Sequence, residues 1–402
     1  MKIAVLKFGG TSVANAEHRA LAAGRLQDER EAGFAPVAVV SAMGRPPEPY
    51  ATDSLLALAG CNVFSRTNDL LLACGEIIAA GVFASELERL RVPAIVLTGA
   101  QAGIVTNGAH GDAKILRIEP SRVLAALEAG AVPVVAGFQG ATETGEVTTL
   151  GRGGTDLTAI ALGHALGAKR VDIYTDVSGA MTGDPRRIEG AHTIARATPE
   201  EMTELAQHGA KVMHFKAADF AQRTATPYSI KGLRTGTGTL VDESFQPERP
   251  VTGVTASGRV TWIRVIRGDI EDAQRRMQVE LQMFVRIADA GISIDQVTIN
   301  QAGVMFVVEG DRGADIRALL GDLNLAVRVR EGCSKLSVVG AAMRYTPGVI
   351  QRIVRALSTA GVEIIHCTDS NITVSVLVPS ADAQRAEQAV HDQFHLEEKV
   401  RS

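Results

Sequence analysis

Lys7-Phe8-Gly9-Gly10-Thr11-Ser12, within the opening MKIAVLKFGGTSV, decides how the rest of the chain is read. Residues 3–6 predict a buried aliphatic strand, and Gly-Gly is an ordinary way to turn a chain at the end of one. A lysine ahead of paired glycines and two hydroxyls is also a way to hold phosphate. Glycines let backbone N–H groups come close to it, and the lysine supplies charge. The stretch matches neither GxxxxGK[ST] nor GxGxxG, so alone it leaves turn and phosphate loop both open.

Working outward, aliphatic runs at 3–6, 36–40, 94–97, 132–136 and 171–174 alternate with helical stretches at 17–32, 69–90 and 122–129. Continuous apolar strands alternating with helices predict a mainly parallel α/β sheet flanked by helices over residues 1–242. Gly-, Ser- or Thr-rich segments follow each strand, where open α/β sheets bind ligands. TGTGTLV at 235–241, followed by DESFQPERP, reads as a polar linker.

Beyond it the order of elements repeats. TWIRVI, a helix ending RIADAGISI, VMFVVEG and ADIRALLGDL are echoed by LSVVGA, a helix ending RALSTAGVEI, ITVSVLV and ADAQRAEQAVHDQF. Two ferredoxin-like βαββαβ modules are expected, at 252–330 and 331–402.

Composition narrows the function. The chain has 402 residues, 46% apolar and 21% charged, with a net charge of −4, which gives no electrostatic case for nucleic acid or an acidic membrane. The four cysteines are scattered without CxxC spacing, and the N-terminal apolar run is too short for a signal peptide or membrane span. A cytoplasmic protein is expected. The histidines lack zinc-type spacing, no metal site is assigned, and no GxSxG or Cys–His signature is present.

Three further segments bear on chemistry. Gly151-Arg152-Gly153-Gly154-Thr155-Asp156 joins a guanidinium, able to clamp a carboxylate, to glycines that admit polyphosphate. The loop from Tyr174 through Thr175, Asp176, Met181 and Asp184 to Arg186 follows a predicted strand, a nucleotide position on such sheets, although Asp184-Pro185 is a common turn initiator and the loop alone favours a plain turn. Glu76 sits in an apolar helical run, either at an exposed helix edge or held for a cationic ligand, and Lys211 is not singled out by its spacing.

Together KFGGTSV, VVSAMG, LLLACGE, GFQGAT, GRGGTD, YTDVSGAMTGDPR and GAKV, followed by two ACT-type modules, resemble the aspartate kinases of the amino-acid kinase family. SAMGRPPEPYATDSLL, LTGAQAG, VVAGFQGATETG and CTDSNITVSVLV resemble the monofunctional bacterial form sensitive to meso-diaminopimelate. The resemblance spans essentially the whole chain. It implies phosphoryl transfer from ATP, with Mg2+, to L-aspartate, feedback inhibition by an end-product amino acid, and a homodimer or larger assembly.

Residue by residue, the resemblance implies that Lys7, Phe8, Gly9, Gly10, Gly153, Gly154 and Lys211 hold the ATP phosphates. Thr175, Asp176, Met181 and Arg186 line the nucleotide. Ser41, Thr52 and Thr155 lie near the amino-acid substrate, Glu76 takes its ammonium and Arg152 a carboxylate, with Asp156 organising the lysines or the magnesium shell. Lys7, Asp156 and Lys211 form the catalytic set. Effector contacts are expected at Ile294, Asp295, Gln296, Thr346, Pro347, Gly348, Val349, Asp369 and Ser370. The chain departs from the family at Met181, where an aromatic is usual, at Phe215-Lys216 in place of Pro-Arg, and at Thr155 in place of serine. The rivals are a sister kinase acting on acetylglutamate or glutamate, which typically lacks the ACT tail, and an inactive amino-acid sensor.

Overall fold

The computed structural model describes residues 1–59, 65–210, 212–266, 273–323 and 325–398. They group into two units, one of Met1–Met181 with Thr193–Pro247 and one of Thr182–His192 with Glu248–Lys399.

The first unit is built on an eight-stranded sheet. Its strand order is Arg196–Ala197, Gly238–Val241, Tyr228–Gly232, Arg170–Thr175, Ile3–Phe8, Ala35–Val40, Val132–Ala136 and Ala94–Leu97. All neighbours run parallel except Tyr228–Gly232 and Gly238–Val241, which are antiparallel. All five predicted strands are present, because runs such as APVAVV and VPVVA are apolar at every position and suit a sheet covered on both faces.

Alternation along Ile3–Phe8 sorts its side chains. Ala4, Leu6 and Phe8 join Ala38, Val40, Val132, Val134 and Ala136 in one core with residues of helices Ala16–Glu31 and Arg66–Arg89. Helix Gly154–Ala165 packs on Ile3–Phe8 and Arg170–Thr175. A smaller sheet orders Ile115–Ile118, Ile104–Thr106, Gln139–Ala141 and Val147–Thr149. Arg66–Arg89 is, among the described residues, the one helix long and apolar enough to cross a membrane. It is a core helix here, packing Ala79, Ala80, Phe83 and Leu87 on the sheet and burying Asp69 and Glu76.

The linker reading of residues 235–241 does not hold. Gly238–Val241 is a strand, hydrogen-bonded on both sides. Its glycine and threonines look loop-like, yet Thr239 is fully buried and its hydroxyl donates to Ile194 O at 2.6 Å.

The second unit carries a six-stranded antiparallel sheet ordered Ile294–Asn300, Gly303–Glu309, Gly253–Ile266, Ala326–Val339, Thr373–Pro379 and His366–Asp369. It has two main cores. Ile263, Val265, Met283, Ile287 and Phe306 belong to one, and Val338, Ile353, Leu357, Val376 and Val390 to the other.

Two segments cross the expected limits of 1–242, 252–330 and 331–402. Thr182–His192 groups with the second unit. Residues 253–256 register with 336–339, and Val251 and Val254 join the core of helices Val349–Thr359 and Ala383–Gln393. The sixth element of the second βαββαβ copy therefore comes from upstream of the first copy, where one unbroken strand spans both cores.

Phe83 is fully buried and its ring lies 5.5 Å from that of Phe8. Phe83→Ala should destabilise the first unit by about 3–5 kcal/mol, read as a lowered urea midpoint.

Candidate active site

Lys7 and Phe8 end the first strand facing opposite ways. Lys7 Nζ lies 2.7 Å from Asp156 Oδ1, with 11% and 13% of the two side chains exposed. Phe8 is fully buried, stacked on Tyr174 at 5.3 Å, so only its backbone is available to a ligand. A 3-10 turn, Gly10–Ser12, follows, closed by Ser12 N–H donating to Gly9 O at 2.8 Å. Gly9 is extended at φ −68°, so the turn does not need its conformational freedom. Gly10 is needed for close approach, since a Cβ there would stand 2.6 Å from Ala42 O. Gly44 N–H donates to Gly10 O at 3.0 Å and Ser41 N–H to Phe8 O at 3.1 Å, joining this turn to residues 41–44.

Glu76 meets the same loop from helix Arg66–Arg89. Its carboxylate is buried, and Oε1 accepts the Ala42 N–H at 3.1 Å. Oε2 is buried with no hydrogen-bond partner among the described residues. Burial pushes the Glu76 pKa up to about 8. A buried carboxylate with one oxygen unsatisfied is a built place for a cation. Thr52 opens helix Thr52–Ala59, and both Thr52 and Ser41 are half-buried.

On the other side of Lys7, the second glycine loop leads into helix Gly154–Ala165. Gly151 and Gly153 both have φ +72°. A Cβ on Gly153 would come 2.0 Å from the Cβ of His214, so any other residue here is both strained and blocked. Asp156 lies in the first helical turn, where the helix dipole favours its charge, and Thr155 is buried beside it. Arg152 is exposed and makes no hydrogen bond or ion pair among the described residues.

Lys216, noted above only as a departure from the family motif, and residues given no role there complete this loop. His214 accepts from Lys216 N–H at 3.3 Å through Nδ1, and burial holds its pKa below the usual value, with Lys216, Asp156, Arg152 and Asp112 close enough to act on it. Lys216 ion-pairs with Asp112. Asp69 is fully buried and accepts from His110 Nδ1 at 2.8 Å, Gly111 N–H at 3.0 Å and the Thr149 hydroxyl at 2.5 Å. The isolated positions of Asp69, His110 and Asp112 carry no motif, so only tertiary packing reveals them.

The nucleotide-type loop is partly assembled. The Thr175 hydroxyl donates to Asp176 at 3.1 Å, and Asp176 pairs with Arg45 at 3.2 Å. Met181 is half-buried, bridged to Thr193. Arg186 is exposed and ion-paired to Asp184 at 2.8 Å. Lys211 lies outside the described residues.

Of the expected effector positions, Asp295 pairs with Lys335, and Gln296, at φ +51° on a strand bulge, donates to the Thr368 hydroxyl at 3.2 Å. That bond brings 294–296 beside the strand that ends at Asp369, and Ser370 N–H donates to Thr373 O at 2.8 Å. Gly348, at φ +87°, caps helix Val349–Thr359, preceded by Thr346 and Pro347.

The amino acid kinase family matches residues 2–232 and an ACT domain matches 336–394. Aspartokinase 1 of Bacillus subtilis is 41% identical over 98% of this chain and 100% of its own length. The aspartokinase of Geobacillus stearothermophilus is 37% identical, over 100% and 99%. The structure of Escherichia coli aspartokinase III with aspartate and ADP superposes with a TM-score of 0.79 at 25% identity, covering 98% of this chain and 100% of that one. A sheet that ends in a lysine–aspartate pair, two glycine loops and an ACT tail thus coincide with full-length sequence likeness, and the chain belongs to the amino acid kinase family, in its aspartokinase branch.

Proposed function

We propose that the chain transfers the γ-phosphoryl group of ATP to the β-carboxylate of L-aspartate, giving 4-phospho-L-aspartate and ADP. The observation that carries this reading is the loop at 41–44, which touches an anion-type turn and a cation-type carboxylate at once. Its backbone joins Gly10 on one side and Glu76 on the other. An amino acid that must meet a polyphosphate needs both. The related Escherichia coli enzyme, crystallised with aspartate and ADP, supports the same substrate pair.

In this reading Glu76 Oε2 accepts the substrate ammonium and Arg152 takes a carboxylate, with Ser41, Thr52 and Thr155 lining the substrate. Lys7, Gly9, Gly10 and the helix N-terminus at Gly153 and Gly154 face the phosphates, with Lys211 assigned there from its motif. Thr175, Asp176, Met181 and Arg186 border the nucleotide, Arg186 as an exposed guanidinium paired to Asp184.

The attacking carboxylate is ionised near neutral pH and needs no general base. The barrier is the approach of an anion to a polyanion, which positioning and fixed positive charge lower. Asp156 holds Lys7 in place for that work. The residues fit a magnesium nucleotide: Asp156 is a hard oxygen donor beside the glycine loop, and the ion supplies further charge neutralisation at the phosphates when bound.

We also read the ACT unit as the site of feedback by an end-product amino acid, meso-diaminopimelate by subtype, on the branch toward diaminopimelate, lysine, threonine and methionine. The expected contacts are at 294–296, 346–349 and 369–370. Dimerisation is supported by an apolar stripe on helix Ala273–Asp289. Met277, Leu281 and Val285 recur every four residues and are 70%, 64% and 47% exposed, with Val297 and Ile299 exposed on the nearby edge strand Ile294–Asn300. A cytoplasmic location accords with this role.

Purified protein with MgATP, aspartate and hydroxylamine should form aspartyl hydroxamate; activity on acetylglutamate instead, or on no acid, would overturn the assignment. In the same assay Lys7→Met should lower kcat by roughly 10²–10³-fold. It should also cost about 2–3 kcal/mol of stability, because Asp156 loses its partner.

The Glu76 carboxyl must ionise to hold an ammonium. Apparent kcat/KM for aspartate should therefore rise with pH from 6 through half its maximum near pH 8, the Glu76 pKa, and Glu76→Gln should flatten that rise while weakening aspartate. Because its folded pKa lies above the unfolded value of 4.5, the group binds more protons when folded. Its contribution to stability therefore falls as pH rises from about 4.5 to 8. Glu76→Gln should accordingly melt at a higher temperature than the parent at pH 8.5 without ligands, and an unchanged pH profile would remove Glu76 from the site. Finally, Leu281→Glu should convert the assembly to monomer in sedimentation velocity; a wild-type protein that is monomeric at all concentrations would exclude the dimer.

A further inference from the structure

Asp69 and Glu76 stand on one face of helix Arg66–Arg89, with Ala73 between them, and all three are buried. Positions 69, 73 and 76 follow the i, i+4, i+7 spacing of a single helical face, about 10 Å from end to end at 1.5 Å per residue. At one end Glu76 Oε1 accepts the Ala42 N–H at 3.1 Å. In the middle Gln139 Nε2 donates to Ala73 O at 2.9 Å, tying the face to the smaller sheet. At the other end Asp69 draws in two separate segments. Its Oδ1 accepts the Gly111 N–H at 3.0 Å and the Thr149 hydroxyl at 2.5 Å, and its Oδ2 accepts from His110 Nδ1 at 2.8 Å. A carboxylate wholly out of water is stable only with its lone pairs filled, so the segments at 110–111 and 149 are held side by side.

Both segments lead to Arg152. Thr149 precedes it by three residues, on the strand that feeds the glycine loop. Asp112, next after Gly111, ion-pairs with Lys216, and Lys216 Nζ also donates to Leu150 O at 3.4 Å. A Cβ on Gly151 would stand 2.5 Å from Asp112 Oδ1 and 3.2 Å from Lys216 Nζ, so the backbone just before Arg152 packs directly on that pair. Just after Arg152, Gly153 packs on His214, which precedes Lys216 by two residues. The main chain of Arg152 is thus gripped on both sides, while its guanidinium is exposed and unpaired among the described residues. A free side chain on a fixed backbone suits the capture of a ligand. All of these residues belong to the first unit.

We infer that Asp69 is a positioning residue for the amino-acid substrate: it fixes the Arg152 loop at a set distance from Glu76, so that guanidinium and carboxylate meet the two ends of one molecule. The inference rests on the reading that Glu76 takes the ammonium and Arg152 a carboxylate. Asp69, fully buried, acts only through the backbone that it holds. A displacement of about 1 Å in such a clamp is enough to cost on the order of 10²-fold.

The test uses the full-length chain. KM for aspartate and for MgATP is measured in the hydroxamate assay for wild type, Asp69→Asn, Thr149→Val, Thr149→Ser, Arg152→Ala, and Asp69→Asn combined with Arg152→Ala. Asp69→Asn and Thr149→Val should each raise KM for aspartate about tenfold or more, with KM for MgATP within about twofold. Thr149→Ser keeps the hydroxyl and should behave as wild type. The double variant should bind aspartate no more weakly than Arg152→Ala alone, because Asp69 acts through Arg152. Should the buried changes prevent folding, Asp112→Ala removes a 56% exposed side chain from the same connection and should give a smaller rise in the same direction. No rise in folded Asp112→Ala then overturns the inference.

A wild-type KM for aspartate in folded Asp69→Asn and Thr149→Val also overturns it. So does an equal rise in both KM values, which marks general loosening, or a double variant whose two effects multiply. Failure of the underlying reading looks different: Arg152→Ala keeps a wild-type KM for aspartate, which removes the clamp itself.

Discussion

The ion pair between Lys7 and Asp156 is the contact on which the arrangement of the site depends. It ties the end of the first strand to the first turn of helix Gly154–Ala165, with both groups almost out of water. Neither charge is tolerable at that depth alone, so the strand and the helix must arrive together. Alternation then settles the other side of the strand, since Lys7 facing the helix obliges Phe8 to face the core of helix Arg66–Arg89. The two glycines at φ +72° are the means by which the backbone enters that helix beside His214.

Glu76 shows the opposite economy. It is a buried carboxylate given one backbone donor and, among the described residues, nothing for its second oxygen, and burial raises its pKa to about 8. A group kept in that state weakens the folded protein at neutral and higher pH. Sites where a local rule is broken in this way are where a ligand is expected to supply the missing partner. The same logic applies, more weakly, to Gln296, whose carbonyl oxygen is buried without a partner among the described residues.

Much of this was legible in the chain. Continuous apolar runs such as APVAVV announce strands covered on both faces, and the repeated RIADAGISI and RALSTAGVEI announce the doubled module. The reading failed where residue type and environment part company. TGTGTLV looks like a linker, yet Gly238–Val241 is a strand whose buried Thr239 bonds across to Ile194.

The sequence by itself determined the alternation of strands and helices, the two glycine loops and the identity of the charged residues beside them, because periodicity and backbone freedom are local properties. Only the tertiary structure decided that Lys7 meets Asp156 across 149 positions, that Glu76 keeps one oxygen unpaired among the described residues, and that residues 253–256 pair with 336–339 to complete the second module. Those facts depend on which groups share a buried volume. Burial, unlike periodicity, is set by the packing of distant segments and leaves no mark in any short stretch of the chain.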